Sequence, residues 1–188
     1  KLEPRRNWRG NLLLQGNYNC MGKAVMFSQS RVKEFITSRM DTMVGFDPPQ
    51  ARAVLVELDE IEQIWRHVKP LLDKATPHSE GEMEAEDFLP LLLSGTMQLW
   101  VAIENKEIIA AMVSQIVSYP RKSVMRIISI GGEDMEKWMP NFPIFENWAL
   151  DLGCTAIEAW GRKGWLRVLD DWKCSYHIIT KDLTHRMH

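Results

Sequence analysis

Gly153-Cys154-Thr155-Ala156-Ile157-Glu158-Ala159-Trp160, then Gly161-Arg162-Lys163-Gly164-Trp165-Leu166-Arg167-Val168-Leu169-Asp170-Asp171-Trp172, is the stretch on which the fold is read. Thr155, Ile157 and Ala159 alternate with Ala156, Glu158 and Trp160, a two-residue period that predicts a strand. Gly161 and Gly164 punctuate the chain. Trp165, Leu169 and Trp172 then recur at i, i+4 and i+7, the stripe of a short helix, with Leu166 and Val168 beside it. Asp170 and Asp171 oppose the dipole at that helix's C-terminal end and stop it. A second alternating run, Tyr176-His177-Ile178-Ile179-Thr180-Lys181, predicts a closing strand. The upstream chain is expected to supply the elements on which this strand–helix–strand unit packs.

Working back from Gly153, Asn141 caps a predicted helix with Pro143 in its first turn, Phe145, Trp148, Ala149 and Leu152 on its inner face, and Gly153 at its end. Before it, Met97–Ile103, Ile108–Tyr119 and Ser123–Ile130 read as three strands. Glu104-Asn105-Lys106-Glu107 is the first hairpin turn, Pro120-Arg121-Lys122 the second, and Gly131-Gly132-Glu133-Asp134 a strand-ending turn. Further upstream, Ala53-Val54-Leu55-Val56-Glu57 predicts a buried strand. A helix follows, with Asp59 as cap, Glu62 three residues on, and Ile61, Ile64, Trp65, Val68, Leu71 and Leu72 as its apolar stripe; Pro70 falls late in it. A second helix runs from about Met83 to Leu93, turns Phe88, Leu91 and Leu92 inward, and ends at Ser94-Gly95. The helix between the fourth and fifth strands implies a crossover and a locally parallel pair. The expected fold class is α/β: a mixed, mostly antiparallel sheet flanked by helices.

Residues 1–52 read differently. Residues 1–20 show no sustained period, Ser30–Val44 is weakly helical through Val32, Phe35, Ile36, Met40 and Met43, and Asp47-Pro48-Pro49 is a linker. The division is an N-terminal arm, 1–52, and a domain, 53–188. The chain begins with Lys1, so Met21 and Met26 are both candidate internal starts, and residues 1–20 need not belong to the native product. Residues 1–39 of the arm are basic (Lys1, Arg5, Arg6, Arg9, Lys23, Arg31, Lys33 and Arg39 against Glu3 and Glu34), and residues 57–87 are acidic. A basic arm can reach an acidic protein surface or nucleic acid; solvated faces explain the same charges.

The 188 residues suit one domain with an extension, and 45% hydrophobic with 26% charged residues is enough for a core without staples. The formal net charge of -2 selects no partner class. Cys20, Cys154 and Cys174 have neither disulfide-framework nor metal-site spacing and read as reduced thiols of a cytoplasmic setting. His67, His78, His177, His185 and His188 are scattered, so no metal is expected. No apolar run approaches the length of a membrane span. Of the tryptophans, Trp8, Trp138 and Trp160 lie where partner contacts are expected, and the rest read as core.

The element order, the helical pair after the first strand and the ending Gly161-Arg162-Lys163-Gly164-Trp165 to Lys181-Asp182-Leu183 resemble the GNAT N-acetyltransferase fold over about residues 53–183, and more narrowly the GNAT-like proteins of tailed bacteriophages. In GNAT enzymes an Arg/Gln-x-x-Gly-x-Gly/Ala loop leads to a helix start whose backbone N–H groups hold the acetyl-CoA diphosphate. The equivalent place here reads Gly131-Gly132-Glu133-Asp134-Met135-Glu136. It lacks the leading Arg or Gln and sets three carboxylates where phosphates would lie. The resemblance makes Ser129, Ile130, Gly131, Gly132, Arg162 and Lys163 the candidate cofactor-binding residues, with Arg167 a further cation. Tyr176 and Glu158 become the candidate acid and base, with Glu133 a further base; Tyr119 reads as a strand-end aromatic. It implies two functions. One is a non-catalytic binding or structural module of a virion or its assembly, in the host cytoplasm or the particle, with a degenerate acetyl-CoA site, no cofactor, and residues 1–52 docking on a protein partner. The alternative is an acyl-CoA-dependent N-acetyltransferase with a non-standard loop that binds acetyl-CoA. Nucleic acid is a third, weaker partner class.

Overall fold

The structure is a computed structural model that describes residues 34–37, 51–169, 171–175 and 178–181. Five strands lie side by side in chain order. They are β1 (Arg52–Leu55), β2 (Gln98–Glu104), β3 (Glu107–Tyr119), β4 (Lys122–Gly132) and β5 (Ala156–Ala159). The first four pair antiparallel, and β4 and β5 pair parallel. Two helices, α1 (Ile61–Asp73) and α2 (Ala85–Leu93), separate β1 from β2; α3 (Phe142–Asp151) makes the crossover to β5. Asn105 and Lys106 take φ of 48° and 67°, the two left-handed positions of a tight hairpin between β2 and β3. This is the mixed, mostly antiparallel α/β architecture that the sequence implied.

The period of two divides β2 and β3 between two cores. Leu99, Val101, Ile103, Ala111 and Val113 face α1 and α2, where Ile61, Ile64, Val68, Leu72, Phe88 and Leu92 meet them. Trp100, Ala102, Ala110 and Met112 face the other way, onto Phe142, Phe145 and Ala149 of α3. Trp100 makes edge-to-face contacts with Phe145 and Trp148, at 5.1 and 5.0 Å between ring centroids. Of the stretch expected to be helical, residues 34–37 are described and are helical, and Phe35 and Ile36 are buried in the α1–α2 core.

Several expectations need correction. The Trp165 stripe forms a 3-10 turn over Lys163–Arg167 instead of an α-helix, although Leu169 is buried and Trp165 and Trp172 pack against the α3 core. Tyr176 and His177 lie outside the described residues, and residues 178–181 are irregular, so no sixth strand stands among the described residues. Propensity alone did not make residues 178–181 a strand. The sheet is therefore centred on β2–β4 and not on the C-terminal thirty residues. Gly131 and Gly132 are not a turn; they are ladder residues of β4, opposite Ala111 and Ala110. The cap position of α1 is Glu60, not Asp59, and no side chain bonds there; the Glu60 carboxylate accepts from the Glu57 N–H instead. Leu152 is exposed, beyond the last turn of α3. Helical structure resumes at Met135–Trp138, sooner after β4 than the Asn141 start implied. Trp138 is a core residue, 6% exposed, whose ring N–H donates to Glu133 O at 3.0 Å, so it is no partner anchor.

Candidate functional site

The sheet opens at a fork between β4 and β5. Their register runs from Val124 opposite Ala156 to Ile127 opposite Ala159. Beyond it the chain leaves at Trp160, while β4 continues to Gly132 against β3 alone. A register shift marks the divergence: Ser114 faces Ile127 and Val113 faces Ser129, so Ile128 is an extra residue in β4.

The base of the fork holds a charged cluster. Arg126 and Glu158 are cross-strand partners. Arg126 Nε donates to Glu158 Oε1 at 2.7 Å, and Arg126 Nη2 also donates to Glu158 Oε1 and, at 2.7 Å, to the Tyr119 hydroxyl. Tyr119 OH in turn donates to the same Oε1 at 3.3 Å. The Trp160 ring lies 4.4 Å from the guanidinium, a cation–π contact. Both charged side chains are largely buried, at 15% and 16% exposure. The arrangement locks the register of a short parallel pair, because a partly buried arginine needs its carboxylate. Glu158, a candidate base, thus spends Oε1 on three donors; Tyr119 is more than a strand-end aromatic. Tyr176 lies outside the described residues.

The open arm of the fork carries the other candidates. Ser129 and Ile130 are ladder residues facing Val113 and Met112. A Cβ placed on Gly131 would stand 2.1 Å from the Leu71 carbonyl oxygen of α1, and one on Gly132 would stand 2.5 Å from the Ala110 Cβ. These glycines let α1 and β3 approach β4. The next amide, Glu133 N–H, donates to Ile109 O at 2.9 Å. The acidic residues expected to repel a diphosphate are partly matched: Lys74 Nζ reaches Glu133 at 2.6 Å, and Lys137 Nζ reaches Asp134 and Glu104 at 2.9 Å each. Hydrogen bonds to Glu104 and then Asp134 hold the Lys137 ammonium well above lysine's usual range. Across the fork, Arg162 and Arg167 are exposed at the 3-10 turn that also contains Lys163. Downstream, Trp172 closes edge-to-face on Phe142 at the start of α3, 6.0 Å between centroids. The structure thus divides the candidates between the open arm (Ser129 to Gly132), the base (Glu158) and the turn after β5 (Arg162 and Lys163). A small apolar hollow lies elsewhere, between the sheet at Ala53, Ala102 and Ala110 and the rings of Trp138 and Phe145.

Asn141, which the sequence marked only as a helix cap, joins β1 to this region. Its Oδ1 accepts from Ala53 N–H at 2.9 Å, and its Nδ2 donates to Ala51 O at 2.9 Å and Trp138 O at 3.0 Å. Cys154, just before β5, is buried, and burial pushes its thiol up from the usual value. The thiolate is the nucleophile, so Cys154 is expected to alkylate at least about tenfold more slowly in the native protein than in urea. Peptide mapping after timed iodoacetamide treatment at pH 8 checks this. Among the described residues no group of three His, Cys, Asp or Glu side chains is placed to hold a metal, and no helix is long and apolar enough to cross a membrane.

The same framework is found in solved acetyltransferases. An aminoglycoside acetyltransferase from an uncultured soil metagenomic sample, in complex with sisomicin, aligns over 71% of this chain and 95% of its own, with a TM-score of 0.53 at 11% identity. The fold is that of the GNAT acetyltransferases. A GNAT family acetyltransferase of Staphylococcus aureus subsp. aureus aligns over 71% of this chain and 99% of its own, with a TM-score of 0.50 at 14% identity. No family model and no curated protein matches the sequence. The GNAT fold brings acetyl-CoA into question, and the residues at the end of β4 do not fit its diphosphate. The Glu133 amide is bonded to β3, and carboxylates flank the turn that follows.

Proposed function

We propose that this GNAT-fold chain is a binding module, with the acyl-transfer site of the fold degenerate. The supporting observation is the exposed run Glu133, Asp134 and Glu136 at the end of β4, together with a Glu133 N–H already bonded to Ile109 O, where a diphosphate would need free amides and positive charge. The setting is a tailed-phage virion or its assembly, in keeping with the resemblance of the sequence, and residues 1–52 dock on a protein partner. Calorimetric titration of the full chain with acetyl-CoA is expected to give a Kd weaker than about 1 mM. A micromolar Kd overturns the reading. Deleting residues 1–33, upstream of the core residues Phe35 and Ile36, is expected to abolish assembly with the partner; unchanged assembly removes the docking arm.

A second reading, an acyl-CoA-dependent N-acetyltransferase, is favoured by the fork itself, which keeps the divergent parallel pair of the fold. Under that reading Arg162 and Arg167, exposed beside the fork, supply the charge that the β4 end lacks. Micromolar acetyl-CoA binding that falls at least tenfold in Arg162→Ala with Arg167→Ala would establish it.

A further inference from the structure

A line of interleaved aromatic and cationic side chains crosses the sheet where β4 meets β5. It begins at the β3–β4 hairpin, where Lys122 Nζ lies 5.4 Å from the centre of the Tyr119 ring. The Tyr119 hydroxyl accepts from Arg126 Nη2, and the Arg126 guanidinium lies 4.4 Å from the centre of the Trp160 ring. Two residues beyond Trp160 stands Arg162, at the entry to the 3-10 turn, and Arg167 ends that turn. Two glycines shape this far end. A Cβ on Gly161 would stand 3.1 Å from Trp165 Cδ1, so the bare backbone lets the Trp165 ring lie against it while that ring packs on the α3 core. A Cβ on Gly164 would stand 3.6 Å from Arg167 Nη2, which places the Arg167 guanidinium beside the turn.

The charges along the line do not cancel. Arg126 is matched by Glu158. Among the described residues no carboxylate pairs with Lys122, Arg162 or Arg167, and all three are exposed. The formal net charge of -2 conceals this local excess. Trp160 is 54% exposed with Arg126 against its ring, so the ring is held in place and much of it is left to solvent. A ring already held loses little freedom when it becomes a contact.

We infer that this line is a binding track for single-stranded nucleic acid. The three unpaired cations meet phosphates, and Trp160 offers its open surface to a base. The arrangement suits an extended polyanion better than a folded acidic protein, because the cations follow one another with rings between them instead of rimming an apolar centre. A duplex, whose bases are already stacked, can use the cations but not the ring. The inference depends neither on the docking arm nor on whether the fork binds acetyl-CoA.

Fluorescence anisotropy of a labelled single-stranded oligothymidine of about twelve nucleotides, titrated with the full chain, tests it. The expected Kd is on the order of 10 μM in about 50 mM salt, and log K is expected to fall against log salt with a slope of about -2, roughly 0.7 for each of three phosphates. Trp160→Ala is expected to weaken binding at least about tenfold at an unchanged slope. Arg162→Ala with Arg167→Ala is expected to bring the slope to about -0.7. Neither arginine has an ion pair among the described residues, so this double variant keeps its fold; if Trp160→Ala does not fold, the slope alone decides. No binding, a folded Trp160→Ala chain that binds like wild type, or an unchanged slope in the arginine variant overturns the proposal. Competition by duplex or by polyglutamate as strong as that by unlabelled oligothymidine also overturns it, and the polyglutamate result assigns the surface to an acidic protein. Micromolar acetyl-CoA binding without oligothymidine binding removes the track and leaves the transferase reading standing.

Discussion

Replacing Asn141 with alanine is expected to lower stability by about 3 kcal/mol and the midpoint of thermal unfolding by roughly 6–12 °C. Asn141 is 8% exposed and makes three hydrogen bonds to backbone. Two of them replace the strand that β1 lacks on its outer side. Ala51 and Ala53 are themselves 4% and 5% exposed, so after truncation their carbonyl and N–H have no ready access to water. A buried polar group without a partner costs about 1–3 kcal/mol, more than the hydrogen bond contributes while made. Asn141→Asp tests the chemistry separately from the volume. One carboxylate oxygen can still accept from Ala53, but the other meets the carbonyls of Ala51 and Trp138. Those carbonyls raise the folded pKa of the new carboxyl above its unfolded value. The loss is therefore full at neutral pH and is relieved as pH falls through that folded pKa, where the protonated acid donates again. Urea unfolding at pH 7 and pH 4.5 measures both effects. A change below about 0.5 kcal/mol in the alanine variant would remove the staple role.

The parts legible in the sequence are those whose signal is local. The β2–β3 hairpin follows from Asn105 beside Lys106 between two apolar runs, and α1 from Ile61, Ile64, Val68, Leu71 and Leu72 on one stripe. Gly153, with φ of 75°, ends α3 because that conformation suits a residue without Cβ. The parallel β4–β5 pair followed from the helix expected between the two strands. What was not legible depends on residues far apart in the chain. Asn141 bonds residues 88 and 90 positions away, and nothing near it in sequence shows that β1 has a bare edge to cover. The Arg126–Glu158 pair did leave a trace, since a charge inside each of two apolar strands calls for a partner, but the register that unites them is tertiary. The lysines that meet Glu133 and Asp134 could not be counted into the local charge: Lys74 comes from beyond the end of α1. Residues 178–181 had the composition of a strand, and composition does not by itself provide a neighbour.

Gly131 gives the second large expected effect, and it bears directly on the fork. A pair of glycines near the end of a GNAT β4 invites a phosphate-binding explanation, whereas their surroundings offer a packing one. A Cβ at Gly131 would lie 2.1 Å from the Leu71 oxygen and 3.0 Å from its carbonyl carbon. Both are backbone atoms of α1, so no rotamer change relieves the clash and the helix end must move off the sheet. Leu71 and Leu72 are core residues of that turn, and the displacement disturbs their packing. Gly131→Ala is expected to cost about 3 kcal/mol, the upper part of the range for overpacking, with a fall of roughly 6–12 °C in thermal midpoint. Gly153→Ala is the control: its added Cβ meets nothing within 4 Å, and only the left-handed backbone is penalised, at about 1 kcal/mol. A glycine kept for close approach of a phosphate would behave the other way, tolerating alanine thermally and losing only ligand. Differential scanning calorimetry of the two variants, with and without acetyl-CoA, therefore separates the explanations. A Gly131→Ala protein that melts with wild type would return the β4 end to the list of ligand sites.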